Sequence, residues 1–407
     1  MNSSNEPLQH IVVVGGGFAG TWAALSAMRE VVKSVKTVRI TLISRDEYLT
    51  IRPRLYETLS DTLRVSLAPL FATAGIHFQL GTAQAIDVER RTVDVQNEQG
   101  ERSPLHYDRL VLAAGSEQRP LGIPGEMEFA WNIDTFATAQ SLEQQLKRVI
   151  AATDSAGRLT FVIVGAGFTG IELATEMRNR VRAHSDAATA RSARIILLER
   201  GNILGADFDS QGRTIIESAL SAAGVEIYLG ASAVSIAPDA ITLDCGERIE
   251  TSTVIVTAGL RANALATQVS ATLDSLGRVS VDDMLRVEGA PEVFAAGDLA
   301  RAKADGDYVA LMSCQHAITM GKFAGHNAAR DFLNLPLRPY HQPRYVTCLD
   351  LGESGALFTL GWDRRIAKIG NDAKSMKRMI NTQRIYPPSG RREAILAAAD
   401  LDAIPSR

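Results

Sequence analysis

One glycine-rich pattern, GxGxxG, occurs twice in this chain, near its start in HIVVVGGGFAG and near its middle in FVIVGAGFTG. Each copy follows an apolar run rich in β-branched residues and precedes a stretch with helical periodicity. The first glycine permits a tight turn, the second lets the backbone approach a pyrophosphate, and the third lets the helix pack closely on the strand. The glycines are Gly15, Gly17 and Gly20 in the first copy and Gly165, Gly167 and Gly170 in the second. Two copies in this context predict an α/β chain with two Rossmann-like dinucleotide-binding domains.

Composition limits the classes of function that this chain can have. Its 407 residues exceed one ordinary core, so two or three domains are expected. A net charge of -3 argues against nucleic-acid binding. Cys245, Cys314 and Cys348 are too far apart in sequence for a CxxC redox pair or metal-ligand spacing, and so few cysteines suit a reducing compartment. We therefore expect neither a metal site nor a nucleic-acid partner.

No segment has the pattern of a targeting or membrane-spanning sequence. The N-terminal apolar run has no basic region before it and continues into glycines, which favours a core strand over a signal peptide. No run reaches the ~18 apolar residues that a membrane-spanning helix needs. The expected location is the cytoplasm.

The residue that ends the strand after each glycine pattern is expected to contact the adenosine ribose. In the second copy the strand ends at Glu199, whose carboxylate would accept hydrogen bonds from the ribose hydroxyls and repel a 2′-phosphate. NADH is the expected nucleotide there, although Arg200 would tolerate NADPH. In the first copy the strand ends at Ser44, followed by Arg45, which could stack on adenine. Asp46 is either a substitute ribose acceptor or the cap of a turn.

Three further apolar runs end in glycine. The run YDRLVLAAGS ends at Ala114 and Gly115, and TSTVIVTAGL ends at Gly259. The run APEVFAAGDLA ends at Gly297 and Asp298 and is followed by a helical pattern from about Met312 to Phe332. That helix would direct its positive N-terminal end at a bound group.

These segments resemble type II NADH dehydrogenases and their relatives in the pyridine nucleotide-disulfide oxidoreductase superfamily, over about residues 10 to 335. The resemblance is carried by VVVGGGFAG, DRLVLAAGSEQRPLGIPG, FVIVGAGFTGIELATEM, VIVTAGLRAN, VFAAGDLA and SCQHAITMGKFAGHNAA. It implies FAD and NADH as cofactors, with hydride passing from NADH to FAD and then electrons to an acceptor.

The resemblance also implies roles for single residues. Asp298 would bind the ribityl chain of FAD, and Pro53 would touch the flavin. Glu172 and Gln315 are the predicted catalytic residues, with Glu172 near the nicotinamide; otherwise Glu172 is an ordinary exposed helix residue. The other implied cofactor contacts are Ala114, Gly115, Gly259, Gly297, Gln315 and His316.

The superfamily inserts its NADH domain into its FAD domain, which explains a glycine pattern in mid-chain. We therefore expect an FAD domain from 1–119 and 260–330, an NAD(P)H domain from 120–259, and a small C-terminal α+β domain from 331–407. RPLGIPG and TAGLRANAL would be the two crossing segments.

The segment expected to face the electron acceptor departs from the pattern of the family. Quinone-reducing members of the family carry a motif similar to AQxAxQxG at the position where this chain has CQHAITMG. Cys314 therefore replaces the alanine of that motif, and Thr319 replaces its second glutamine. A quinone, another small acceptor and a partner protein all stay open. Cys314 and Cys348 leave room for sulfide:quinone chemistry, and a redox sensor similar to apoptosis-inducing factor is a non-enzymatic alternative.

Two basic segments have alternative interpretations. Arg52 and Arg54 could bind an anionic acceptor or steady a reduced flavin, or one could contact the FAD pyrophosphate while the other faces solvent. Residues 363–384 mix basic and apolar side chains, which could place the chain peripherally on the inner face of a membrane. The alternative is a solvated helix that contacts the second subunit of a homodimer.

Overall fold

The structure is a computed structural model that describes residues 9–152 and 155–403. The polar start of the chain, where we expect no signal peptide, lies outside the described residues, as do 404–407 at the end of the predicted C-terminal domain. None of the described helices is long and apolar enough to cross a membrane.

The first glycine pattern belongs to a six-stranded sheet. In spatial order its strands are Arg286–Val287, Ala290–Ala295, Arg109–Leu112, Gln9–Val14, Val38–Ser44 and His77–Leu80. All neighbours pair in parallel except the edge strand Arg286–Val287. The central strands are buried on both faces, which explains their continuous Val and Ile runs. Helices Phe18–Val31, Leu67–Ala74 and Cys314–Phe332 belong to this unit.

The second glycine pattern belongs to a separate five-stranded sheet whose strands are all parallel. In spatial order these are Ala130–Trp131, Thr253–Val256, Thr160–Val164, Arg194–Glu199 and Val225–Leu229. Its helices are Phe136–Ala151, Phe168–Arg182, Ala187–Ser192 and Ser210–Ala222. Each unit also carries a three-stranded antiparallel sheet, formed by Thr82–Asp87, Thr92–Gln96 and Arg102–His106 and by Ala233–Ala237, Ala240–Leu243 and Arg248–Glu250.

The chain passes between the two parallel sheets through a short antiparallel ribbon. Ser116–Gln118 leaves the first sheet and pairs with Leu260–Ala262, which returns to it. The ribbon therefore begins slightly before the expected crossing segment RPLGIPG and coincides with part of TAGLRANAL. The domain limits that we placed at 119 and 260 stay predictions.

The C-terminal part combines an antiparallel sheet with helices. Strands Val346–Asp350, Ala356–Leu360 and Arg365–Ile369 form a meander, against which helix Gly370–Met379 packs. A last helix, Arg392–Ala398, returns to the first unit. The predicted fold class, two Rossmann-like units and a small α+β part, is confirmed.

Helix Cys314–Phe332, called here the return helix, lies unusually close to helix Phe18–Val31. A Cβ on Gly321 would stand 2.2 Å from the Ala19 carbonyl oxygen, and one on Gly325 would stand 1.9 Å from that of Ala23. Only glycine permits this approach, which brings the N-terminal ends of both helices to the carboxyl edge of the sheet.

Candidate functional site

The glycines of the first pattern serve different purposes. Gly15 has φ +114, and a Cβ on it would meet the Ala113 carbonyl oxygen at 2.3 Å. A Cβ on Gly20 would lie 1.8 Å from the Gly15 carbonyl oxygen. A Cβ on Gly17 would meet no described atom within 4 Å. The fold thus requires glycine at positions 15 and 20, whereas Gly17 borders open space at a helix N-terminus.

The second pattern repeats this arrangement. Gly165 has φ +107 and packs on Ala258, while a Cβ on Gly170 would lie 1.9 Å from the Gly165 carbonyl oxygen. Gly167 again borders open space among the described residues. In the part of the chain that the structure covers, no side chain caps helix Phe18–Val31 or helix Phe168–Arg182. Both N-termini therefore offer backbone N–H groups to a phosphate.

Glu199 lies beside the second glycine turn. One carboxylate oxygen accepts a hydrogen bond from the Ala166 amide at 3.0 Å, and the other accepts one from the Gly201 amide at 2.8 Å. These bonds fix a partly exposed carboxylate at the strand end, with lone pairs left for ribose hydroxyls. The assignment of this site to NADH stays a prediction that this geometry favours.

The residues after the first strand end are arranged differently. The buried Ser44 hydroxyl donates to the Asp46 carbonyl at 2.7 Å, so it is engaged within its own turn. The Asp46 carboxylate accepts from the Tyr48 amide at 2.9 Å, as expected of a residue that caps a turn. Arg45 is exposed. The geometry therefore favours the turn-cap interpretation of Asp46 over the ribose interpretation.

Asp298 lies at the carboxyl edge of the first sheet, next to the ribbon. Its Oδ2 accepts from the Ser116 hydroxyl at 2.6 Å and lies 3.8 Å from Arg52 Nη1. Arg52 also pairs with Asp134 of the second unit. Burial raises the pKa of Asp298, and the Arg52 charge opposes that shift. Arg52 thus links the two Rossmann-like units, a role for which the sequence held no signal.

Its neighbours in the short turn Arg52–Arg54 complete this edge. Pro53 is half-buried, and Arg54 pairs with Glu57 at 2.7 Å and donates to the Tyr386 hydroxyl at 2.7 Å. The Arg54 side chain is mostly buried, whereas that of Arg52 is 33% exposed, so both interpretations of these two arginines stay open. Near them, Ala114 and Gly115 follow strand Arg109–Leu112, and Gly297 begins the turn that carries Asp298; a Cβ on Gly115 would meet no described atom within 4 Å.

The first turn of the return helix faces the C-terminal sheet. The Gln315 side-chain oxygen accepts a hydrogen bond from the Val346 backbone amide at 3.3 Å. The Gln315 side-chain nitrogen donates to the Val346 backbone carbonyl at 3.5 Å. The His316 ring is fully buried, lies 3.2 Å from Gln342 Oε1 and stacks on Tyr345. Burial lowers the pKa of His316 to about 4. The roles predicted for Gln315 and His316 stay predictions. The buried position of the His316 side chain does not support the predicted contact between this residue and a cofactor.

Glu172 is buried rather than exposed on its helix. One of its oxygens accepts from Lys377 Nζ at 2.7 Å and from the Asp350 amide at 3.0 Å. Lys377 also donates to the Cys348 carbonyl at 2.9 Å, and the Tyr56 hydroxyl donates to Asp350 at 3.0 Å. Burial raises the pKa of Glu172, and the Lys377 charge opposes that shift. This set of contacts, called here the Glu172 cluster, joins the second unit to the C-terminal sheet and helix.

The Glu172 cluster also changes the interpretation of the basic C-terminal segment. Lys377 is buried, and Lys374 pairs with Asp350, so both point inward. Arg365, Lys368 and Arg378 are exposed. Membrane contact through 363–384 and formation of a homodimer stay predictions.

Two largely parallel sheets, each with an open glycine turn at an uncapped helix, are typical of oxidoreductases that bind two dinucleotides. The chain belongs to the pyridine nucleotide-disulphide oxidoreductase family, whose profile matches residues 9–321. It is therefore an NAD(P)H oxidoreductase.

The relatives refine this assignment. The chain is 40% identical to an NADH dehydrogenase-like protein of Mycobacterium tuberculosis over 396 residues, which cover 96% of this chain and 98% of that protein. It is 31% identical to a type II NADH:quinone oxidoreductase of the same species, over 73% of this chain and 68% of that protein. Its fold is similar to that of NDH2 from Plasmodium falciparum in complex with NADH. The TM-score is 0.78, with 14% identity, covering 91% of this chain and 94% of that one.

Proposed function

We propose that this chain is an FAD-dependent oxidoreductase that takes electrons from NADH and delivers them to a quinone-like acceptor. The observation that carries the proposal is the pair of middle glycines, Gly17 and Gly167, each bordering open space at an uncapped helix N-terminus. Bound FAD would supply the chemistry, by accepting a hydride from NADH and releasing electrons to the acceptor.

The protein's own contribution is position and charge. The N-terminus of helix Phe18–Val31 would hold the FAD pyrophosphate, and Asp298 lies at the sheet edge where the resemblance expects the ribityl chain. The N-terminus of helix Phe168–Arg182 and Glu199 would hold the NADH pyrophosphate and ribose. Quinone reduction also consumes protons, and the buried pair of Glu172 and Lys377 can hold one between carboxylate and amine.

A second candidate is a reductase of another small acceptor or of a partner protein. Thr319 stands where quinone-reducing relatives have glutamine, and its hydroxyl donates to the Gln315 carbonyl at 3.2 Å, within its own helix. It offers no amide to a quinone carbonyl. This one departure favours an acceptor held differently from the family's usual quinone.

The two candidates differ in how the reduced protein is reoxidised. Purified protein should be yellow, and NADH should bleach it rapidly under anaerobic conditions. Ubiquinone or menaquinone analogues should then restore the colour much faster than oxygen does. Bleaching followed by quinone reoxidation no faster than that by oxygen would select the second candidate. A colourless protein that stays so with excess FAD would exclude both.

Nucleotide preference can be tested at Glu199. Glu199→Gln keeps an oxygen that can accept from a backbone amide but removes the charge that repels a 2′-phosphate. The affinity for NADPH relative to NADH should rise about tenfold, equivalent to ~1.4 kcal/mol. Equilibrium titration with both nucleotides measures the ratio. Glu226→Gln, at an exposed carboxylate on the neighbouring strand, is the matched control and should leave it unchanged. An unchanged ratio in both variants would show that the ribose does not lie at Glu199.

A further inference from the structure

A turn of the C-terminal sheet reaches the second glycine pattern. It connects strands Ala356–Leu360 and Arg365–Ile369 and ends at Arg364, whose φ is +51. The left-handed conformation is unfavourable for a non-glycine residue. The Arg364 side chain is nevertheless 11% exposed and points inward. A buried arginine at such a position indicates that its side chain has a task there.

The Arg364 guanidinium lies against two aromatic rings of the second unit. Its carbon is 5.2 Å from the centre of the Phe168 ring and 5.1 Å from that of Phe208. Phe168 is the first residue of helix Phe168–Arg182 and directly follows Gly167, which borders open space. The guanidinium is therefore placed beside the turn that would receive a dinucleotide pyrophosphate.

The hydrogen bonds of Arg364 are incomplete. Nη2 pairs with Asp207 at 3.2 Å, but the Asp207 side chain is 70% exposed, so the pair contributes little to stability. Nη1 is inaccessible to solvent and has no hydrogen-bond partner among the described residues. A buried donor without a partner destabilises the folded protein. Arginine binds phosphate oxygens through two parallel N–H groups, and Nη1 together with Nη2 forms such a fork.

The turn is held firmly in this position. The Trp362 ring stacks on the rings of Tyr345 and Tyr308, with ring centres 4.5 and 4.6 Å apart. The Tyr345 ring stacks in turn on that of His316 in the return helix, with ring centres 5.5 Å apart. This row of rings fixes the C-terminal turn relative to the first unit. Arg364 is thus presented to the nucleotide site at little entropic cost on binding.

We propose that Arg364 binds the pyrophosphate of the pyridine dinucleotide, opposite the backbone amides at the N-terminus of helix Phe168–Arg182. This inference rests on the proposed function of the second glycine pattern. On binding, the guanidinium turns away from Asp207, so that Nη1 leaves its inaccessible position and both nitrogens reach phosphate oxygens beside Phe168 and Phe208. The nucleotide site is then completed by a residue of the C-terminal sheet, outside both Rossmann-like units.

Binding of NADH, NADPH and ADP-ribose to Arg364→Gln tests the proposal by equilibrium calorimetry, without turnover. All three ligands contain the pyrophosphate. Each dissociation constant should therefore rise about 10- to 100-fold, because the variant loses charge-assisted hydrogen bonds to that group. Arg365→Gln is the matched control, because the adjacent Arg365 side chain is 76% exposed and pairs with Asp363, and it should bind all three like wild type. Asp207→Asn removes the competing carboxylate and should tighten binding about two- to fivefold.

The outcomes separate this proposal from the function on which it rests. Equal affinities in the Arg364→Gln and Arg365→Gln proteins overturn the role of Arg364 while nucleotide binding stands. A loss confined to NADPH also overturns it, because the contact would then be to the 2′-phosphate. Failure of wild-type protein to bind ADP-ribose overturns the second nucleotide site itself and this inference with it. If Arg364→Gln does not fold, Arg364→Lys should still bind each ligand several-fold more weakly, since lysine lacks the fork.

Discussion

Single residues show which glycines serve the fold and which serve binding. Gly20 and Gly170 sit where a Cβ would collide with a backbone oxygen of the preceding turn. Gly17 and Gly167 have φ values of -75 and -71, which any residue adopts, and a Cβ there meets no described atom. The second pair is therefore not explained by the packing of the protein itself.

Substitution of these glycines should separate binding from stability. Gly17→Ala should lower the flavin content of the purified protein, because the methyl group occupies the pyrophosphate space, while the flavin-free forms of variant and wild type should unfold at the same midpoint. Gly167→Ala should spare the flavin and weaken NADH binding. Gly170→Ala is the contrasting variant and should destabilise the fold by about 1–3 kcal/mol through overpacking. Full flavin content in Gly17→Ala would contradict the assignment of the first site.

The buried His316 should make the folded protein less stable at low pH. Burial lowers its pKa to about 4 from an ordinary value of 6.5, so the unfolded chain binds the proton more readily. The stabilisation is fully present above pH ~6.5 and is lost as the pH falls towards ~4, by up to roughly 3 kcal/mol. Unfolding midpoints of wild type and His316→Gln should converge between pH 7.5 and 4.5. His106→Gln, at an exposed histidine, should follow wild type. Parallel profiles for wild type and His316→Gln would contradict this role.

At the scale of elements, the contact between helix Phe18–Val31 and the return helix governs the first site. Gly321 and Gly325 let the two helices approach so closely that their backbones touch. The return helix thereby carries Gln315 and His316 to the sheet edge where Asp298 lies. A change in this spacing would shift the site without altering any residue in it.

Gly325→Ala tests that spacing. Alanine favours a helix over glycine by about 1 kcal/mol, so an unconstrained position would gain stability. Here the added Cβ would lie 1.9 Å from the Ala23 carbonyl oxygen, and net destabilisation of about 1–3 kcal/mol is expected in thermal unfolding. Thr319→Ala on the same helix adds no atom at this contact and should change stability by less than about 1 kcal/mol. A more stable Gly325→Ala protein would show that the helices can separate at no cost.

At the scale of the whole molecule, one buried and one partly buried ion pair connect parts that are distant in sequence. Lys377 and Glu172 are separated by 205 residues, and Arg52 and Asp134 by 82. The first pair holds the C-terminal helix on the second unit, and the second pair connects the two Rossmann-like units. These contacts fix how the three parts are oriented around the proposed site.

A double-mutant cycle measures the first connection. Lys377→Met leaves a buried carboxylate without its cation and should destabilise the C-terminal part by about 3–5 kcal/mol. Combination with Glu172→Gln should recover much of that loss, because the uncompensated charge is gone. Thermal unfolding and limited proteolysis of 370–403 report the effect. Arg338→Gln, in an exposed pair with Asp402, should cost less than about 1 kcal/mol. Additive effects of Lys377→Met and Glu172→Gln would show that the pair does not act as a unit.

The sequence alone determined the two strand–turn–helix units, the strands ending at Ser44 and Glu199, and the fold class. Those features are local: apolar periodicity, glycine spacing and the strand-end residue lie within a few turns of chain. Only the tertiary structure decided that Lys377 turns inward to Glu172, that Arg52 bridges to Asp134 and that Arg364 reaches Phe168. In the sequence Lys377 and Arg364 were two basic residues among many, and Arg52 was a candidate only for contacts with the flavin, its pyrophosphate or an anionic acceptor. Their partners are set by packing between distant segments, which no local periodicity encodes.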